Sequence, residues 1–535
     1  MNYRYLKIFC GFLLVLLLAS CGNRSQEAAV SDSFLRVPLS DKDINLDPSG
    51  DWLVPNAEVF SVFYDPLYRI GTDGKVLPSL ATNFPKISED KKLYLIPLKS
   101  DVRFHDDESF DKGKGRVVTA GDVIYTLKRI ADPKNETGLW SLIEGKIEGL
   151  DVYRKSLQDG TGNFNDEISG LRETSDSELQ IKLTKPYNQI LFILAMPTFS
   201  IVPHEAVTRY GEDFKHHAVG TGPFRLQSYS SRQIVAERTR PTPDLPPGII
   251  FSYVDDQWNA FKEGQLDIAY IESRRLHAYT DDHFELKKEL KDAGYGLYSI
   301  KEAYRSFVIF NHKNPLMQNI HLRKAMAYSI PWSNVIDEED SLSAALIPEP
   351  IAGSTNLQWK YDLAKAKQEM ALAGYAGGVG LPEFVMRVRY PGRLFIAGMV
   401  QDALQDIGIH VRLELSETNE LEDAHLGSQS WVLDFPDAFS ILALLSSRAF
   451  PPDGNNYGYF QNVEYDALLE KALSLEEAFR FAHYTKMGQW IYDHVAVIPF
   501  RQTKIFYGFR PGIDHVAADP LGYLQWANIT KTPKS

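Results

Sequence analysis

Residues 96–133 join a strand-like run and a polar loop to a helix whose two ends are written into the chain. Thr119 is a good N-cap, and Asp122 three residues on completes a capping box, which satisfies amide groups a helix start otherwise leaves orphaned. Val123, Leu127 and Ile130 recur at helical spacing, and Asp132-Pro133 stops the helix. One apolar stripe must be buried against a neighbouring element, so the pattern predicts a helix packed on strands. The same interleaving of short strands and helices runs along the chain with no internal repeat, which predicts mixed α/β lobes.

Length sets the scale of that organisation. At about 150 residues per domain, a chain of 535 residues with 44% apolar and 24% charged residues predicts two to four lobes. The amino terminus stands apart: Arg4 and Lys7 precede an apolar run from Ile8 to Leu18, followed by Ala19-Ser20-Cys21. So short a run does not cross a hydrocarbon core about 30 Å thick, and it ends in small residues as a cleaved leader does. It resembles a bacterial lipoprotein signal. That likeness implies removal of residues 1–20 and acylation of Cys21, with 21–33 as a polar tether. Several acyl chains, at about 0.8 kcal/mol per buried CH₂, anchor a protein essentially permanently. Loss of Arg4 and Lys7 takes the net charge from −13 to −15, which argues against nucleic acid. Cys10 leaves with the leader and Cys21 carries lipid, so no internal disulfide is expected.

Ordered motifs between residues 45 and 325 then point to one family. They are Asn45-Leu46-Asp47-Pro48, Tyr64-Asp65-Pro66-Leu67, Leu77-Pro78-Ser79-Leu80-Ala81, Phe104-His105, Thr119-Ala120-Gly121-Asp122-Val123, Gly220-Thr221-Gly222-Pro223-Phe224, Glu263-Gly264-Gln265-Leu266-Asp267-Ile268 and Leu322-Arg323-Lys324-Ala325. Together they resemble the extracellular solute-binding proteins of family 5, the oligopeptide and dipeptide receptors of ABC importers. The resemblance implies the type II, cluster C fold of periplasmic binding proteins: two large α/β lobes joined by a hinge, plus a smaller accessory lobe. It places lobe I at 34–60, 190–295 and 500–535, the accessory lobe at 61–189 and lobe III at 296–499. It also implies a monomer that hands a peptide to a permease with separate ATPase subunits, on the periplasmic or extracellular face of a membrane.

Two local patterns give candidate ligand contacts. Phe384, Met386, Val388 and Tyr390 alternate with Arg387 and Arg389, and a helix carrying Phe395, Met399, Val400, Leu404 and Ile407 follows, then a strand from Ile409. This β-α-β order sets Arg389 at a strand's carboxyl end, where open α/β sheets bind ligands; either arginine pairing with a surface acid is the plainer alternative. In Ser430-Trp431-Val432-Leu433-Asp434-Phe435-Pro436-Asp437 a short strand ends in an acid. The segment is similar to the family's W-x-x-D-Y-x-x-P, whose acid pairs with the ligand's α-amino group in peptide-binding members. Carried over, that acid is Asp434, supported by Trp431, against the alternatives of a turn cap and core packing. Phe435 stands where tyrosine is common, and Ala438-Phe439 where a proline is frequent. Asn45 to Val54 and the strand from Tyr304 through Phe307 to Asn311 resemble the parts that pair with peptide backbone; a purely structural strand role is the plainer alternative for each.

No G-x-S-x-G, H-E-x-x-H, Walker A or G-x-G-x-x-G motif is present, so neither an enzyme nor a cofactor is expected. His216 and His217 are adjacent side chains expected to point apart, and no metal site is expected there. Other readings stay open. The ligand is a metal chelate, haem or a sugar on the same scaffold, or the chain is a surface hydrolase or adhesin.

Overall fold

The computed structural model describes residues 32–50, 54–135, 137–452 and 454–532. Cys21, the leader and most of the tether lie outside the described residues. Four sheets carry the architecture. The first orders its strands Leu35–Leu39, Gly248–Tyr253, Gln233–Arg238 and Phe224–Ser230, with the first pair parallel and the others antiparallel. Beside it, Lys504–Phe509 lies between Ile268–Tyr270 and Gly296–Lys301.

The expected capped helix spans Ala120–Ala131. The Thr119 amide donates to Asp122 Oδ2 at 2.9 Å, and Val123, Leu127 and Ile130 are buried. The helix packs on an antiparallel sheet ordered Lys86–Ile87, Leu93–Pro97, Glu178–Lys182 and Leu171–Ser175. From its last turn Arg129 reaches back to Asp47 at 2.6 Å and to Ser49 Oγ at 2.7 Å. A buried charge of this kind requires such a partner, and the pair fastens the N-terminal segment to the small sheet. One continuous apolar core, including Leu35, Phe60, Phe63, Tyr94, Ile130 and Ile181, runs through the first sheet and the small one. The two therefore form one packed body.

The fourth sheet orders Ser341–Leu342, Val497–Gln502, Tyr304–Phe310, Leu426–Val432, Phe384–Val388 and Val411–Leu415. Along Tyr304–Phe310 apolar side chains alternate between two cores: Val308 and Phe310 join Met326, Phe384 and Phe500, while Phe307 and Ile309 join Leu442, Tyr465 and Met487. A strand buried on both faces needs this nearly continuous apolar run. Phe384, Met386 and Val388 turn inward as their alternation requires. Tyr390 lies beyond the strand's end and is exposed, as is Phe395, because the helix Leu394–Gln405 buries Ala397, Val400, Ala403 and Leu404 instead. The chain enters this second body between Gly296–Lys301 and Tyr304–Phe310, and leaves it between Val497–Gln502 and Lys504–Phe509. The crossings are short and adjacent, the arrangement of a hinge.

Candidate functional site

The strand Leu426–Val432 is paired with Tyr304–Phe310 along its whole length, but with Phe384–Val388 only through Leu426, Gly427 and Ser428. Its last residues, Gln429 to Val432, therefore present one free edge among the described residues. Asp434 follows directly. Its Oδ2 accepts from Ser440 Oγ at 2.9 Å, and its own amide donates to the same Oγ at 2.9 Å, which fixes the carboxylate's direction. Asp437 anchors the turn: Tyr484 Oη donates to it at 2.6 Å and Arg480 pairs with it at 3.2 Å, both buried. Gln189 of the first body donates to Tyr484 Oη at 3.0 Å, and Phe435 stacks on Phe192 with centroids 5.9 Å apart. Thus the turn is fastened across the junction of the two bodies.

Two cavities meet at this turn. One, of about 380 Å³, lies between Ser430–Pro436 and the first body's Tyr64-Asp65-Pro66, Met196–Thr198 and Leu521–Gln525. The other, of about 490 Å³, separates the same Trp431 and Asp434 from Lys146, Lys185 and Tyr187. Both fall in the size range of small-molecule sites, about 300–1,000 Å³. A larger groove of about 780 Å³ near Thr72–Val76 and Glu476–Phe481 contains neither Trp431 nor Asp434. Asp434 is half-buried and lines both of these spaces. Burial lifts its carboxyl to about 6, against the smaller opposing effect of the Ser440 hydrogen bond. Trp431 Nε1 is buried without a hydrogen-bond partner.

The facing wall explains two of the motifs. Gly222 N donates to Phe63 O at 2.9 Å, Thr221 Oγ1 donates to Asp65 at 2.8 Å, and His105 contacts the carbonyls of Gly220 and Gly222 through its amide and ring at 2.8 and 2.9 Å. A Cβ on Gly220 would lie 2.2 Å from Phe63 O, so only glycine admits this approach. The F-H and G-T-G-P sequences hold the segment that lines the crevice.

The profile of bacterial extracellular solute-binding proteins, family 5 Middle, matches residues 75–450. The chain belongs to this family. It is 23% identical over 491 residues to the dipeptide-binding protein of Escherichia coli (strain K12), spanning 86% of this chain and 87% of that protein. Among solved structures it is similar to HbpA2 from Haemophilus parasuis, with a TM-score of 0.77 and 19% identity over 93% of this chain and 100% of that one. It is also similar to DppA from Helicobacter pylori in complex with peptide STSA, with a TM-score of 0.72 and 18% identity over 94% and 98% of the two chains. The fold is the type II periplasmic-binding-protein fold.

In this family 5 solute-binding protein, Asp434 and Trp431 are brought together in the crevice, and the other expected contacts are not. Arg389 is exposed just past its strand with its guanidinium over Tyr390, while Arg387 pairs with Glu414 at 2.7 Å. Phe307 is core, 2% exposed, and its backbone pairs on both sides with Gln429 and Pro499. Tyr304 is half-buried and accepts a hydrogen bond from Ser306 Oγ at 3.2 Å. No edge is free along the middle of that strand; the free edge belongs to its neighbour. His216 and His217 do not point apart: both reach Asp213, at 2.7 and 3.0 Å, because a tight helical turn sets them three and four residues on. Among the described residues no group of three or more His, Cys, Asp and Glu could hold a metal ion, and no helix is long and apolar enough to cross a membrane.

Sequence reasoning missed the first body's contribution, Asp65, Thr198, Asp519 and Tyr523. Asp65 was visible within Tyr64-Asp65-Pro66-Leu67, whereas Asp519 sits in an unremarkable turn where its Oδ1 accepts the amides of Leu521 and Tyr523 at 2.9 and 3.1 Å.

Proposed function

We propose that the chain is the substrate-binding component of an ABC importer and captures peptides in the crevice between its bodies. The observation that carries this reading is Asp434: a carboxylate aimed by Ser440, facing interior space, with no ion-pair partner among the described residues and next to a free strand edge. An ammonium in a poorly hydrated cleft needs a charged acceptor of fixed direction, and an extended main chain needs an edge to pair with. Gln429 to Val432 supply that edge, with Trp431 beside the amino terminus. Chemistry is absent from this scheme; a permease receives the ligand and separate ATPase subunits supply the energy. Lobe I, the accessory lobe and lobe III divide as the family resemblance implies, and contacts to both sides favour closure only through higher affinity for the closed state. Acylated Cys21 tethers the monomer to the membrane, which mass spectrometry of the mature amino terminus tests.

The binding experiment uses the full chain in mild detergent, dialysed free of ligand. Thermal shifts are measured with di- to pentapeptides, their amino-acetylated forms, nickel chelates, haem and sugars. Stabilisation by free-amino peptides and its loss on acetylation are expected. Stabilisation by a chelate, haem or a sugar with none from any peptide would overturn the reading.

A further inference from the structure

Besides Tyr64 and Tyr523, the ionisable side chains lining the smaller cavity are three carboxylic acids, Asp65, Asp434 and Asp519, and one base, the exposed Arg69. Two more acids stand behind them. Glu58 accepts the Leu524 amide at 2.9 Å, and Glu302 lies against the same loop, 4.0 Å from where a Cβ on Gly522 would sit. After burial itself, the negative charges of Asp519, Glu58, Asp434 and Glu302 hold the Tyr523 hydroxyl above the ordinary phenol range, so Tyr523 lies among all four. None of these carboxylates forms an ion pair among the described residues. The cation near Glu302, Arg501, is already paired with Asp337 at 2.9 Å and with Asp340.

A second observation points to a ligand. Thr198 lines the same cavity, is 3% exposed, and its hydroxyl has no hydrogen-bond partner. Buried polar groups are normally satisfied, so an unfilled hydroxyl beside an uncompensated set of acids marks a place completed by polar, positive atoms. One ammonium at Asp434 leaves Asp519, Glu58 and Glu302 without a cation; burial lifts each of these carboxyls to about 7, so near neutral pH each is ionised only in part, and a second cation favours its ionised form.

Resting on Asp434 as the ammonium acceptor, we propose that this crevice selects ligands carrying two positive charges close together: peptides with a free amino terminus and lysine or arginine as the first or second residue. The second cation enters the space between Asp434, Asp519 and Asp65. A polyamine presents the same chemistry without a peptide backbone.

Calorimetry on the full chain in detergent compares Ala-Ala-Ala, Glu-Ala-Ala, Lys-Ala-Ala, Ala-Lys-Ala and spermidine. The lysine peptides are expected to bind at least about tenfold more tightly than Ala-Ala-Ala, and Glu-Ala-Ala more weakly still. Asp519→Asn keeps an acceptor for its two amides, and Glu58→Gln keeps one for Leu524; each is expected to reduce the ratio of lysine-peptide to Ala-Ala-Ala affinity. Equal affinity for Ala-Ala-Ala and the lysine peptides, or a preference unchanged in both variants, would overturn the inference and leave peptide binding standing. Tight binding of spermidine with none of any peptide would support the two-cation chemistry and overturn the peptide reading. Thermal melting of each variant shows that it is folded, and Glu302→Gln supplies a third neutralisation if one is not.

Discussion

Replacing Asp434 by Asn separates charge from shape. Asparagine keeps an oxygen for Ser440 Oγ and the backbone amide that Ser440 accepts, so the turn geometry is retained. What disappears is a carboxyl lifted from 3.8 to about 6 by burial. At about 1.4 kcal/mol for each tenfold, holding that carboxylate ionised at pH 8 disfavours the empty folded state by about 3 kcal/mol. The sign follows from linkage. A raised folded-state value means stability that is full below the unfolded value of 3.8 and is lost as pH climbs through about 6. Asp434→Asn should therefore stabilise the empty protein at pH 8 by up to about 3 kcal/mol, and by less than about 1 kcal/mol at pH 4. At roughly 2–4 °C per kcal/mol for bodies of about 200 residues, the melting temperature at pH 8 rises several degrees. Binding moves the opposite way. Losing one side of a buried charged pair costs about 2–5 kcal/mol, so affinity for a free-amino peptide falls by about thirtyfold to several thousandfold. Its amino-acetylated counterpart changes little. Melting curves at the two pH values and calorimetry with the peptide pair test both halves. A variant less stable than the parent at pH 8, or equal losses for both peptides, would refute the reasoning.

Two further outcomes follow from the same geometry. Binding a cation at Asp434 drives its ionisation, so near pH 6 the complex should release up to about half a proton; calorimetry in buffers of different ionisation enthalpy reads this directly, and no buffer dependence would argue against Asp434 as the acceptor. Gly220→Ala puts a methyl 2.2 Å from Phe63 O and pushes the Tyr64–Pro66 wall, which should lower stability by about 1–3 kcal/mol and weaken ligand binding, both seen by thermal shift.

What could be seen in advance was local. The helix Ala120–Ala131 was legible because its cap, stripe and stop lie within fifteen consecutive positions, Thr119 to Pro133, and Phe384, Met386 and Val388 because a strand's faces alternate at every second residue. The place of Asp434 in the crevice was legible through a motif. The roles of the other motif residues were not, because their partners lie far along the chain. Asp47 serves Arg129, Asp267 holds Arg36 at 2.6 Å and Lys531 at 2.7 Å, and Gly220 and Gly222 grip Phe63. These residues frame the crevice and do not line it. Conversely, Asp519, Glu58 and Glu302 belong to no pattern of spacing, and only the fold gathers them around Tyr523. The expected role of the Tyr304–Phe310 strand failed to anticipate strand order: the identity of a free edge depends on which neighbours pair, and a single strand's sequence does not carry that.

Strand order also determines how the two modes of recognition are coupled. The free edge at Gln429–Val432 and the carboxylate of Asp434 sit on one continuous segment, so a ligand that pairs its main chain there has its amino terminus delivered to the acid by register alone. That segment is rigid on its own side through Asp437 and Arg480, and it reaches the first body through Phe435 on Phe192 and through Tyr484 and Gln189. The first body and the small sheet share one core, so the wall facing the ligand moves as a unit, and adjustment concentrates at the two crossings beside Glu302 and Gln502. Glu302 and Asp434 both act on Tyr523, so charge arriving at the ligand end is felt electrostatically at the joint. On the proposed reading a cation entering the crevice would favour the ionised form of its acids, and closure driven by that ligand would require higher affinity for the closed arrangement than for the open one.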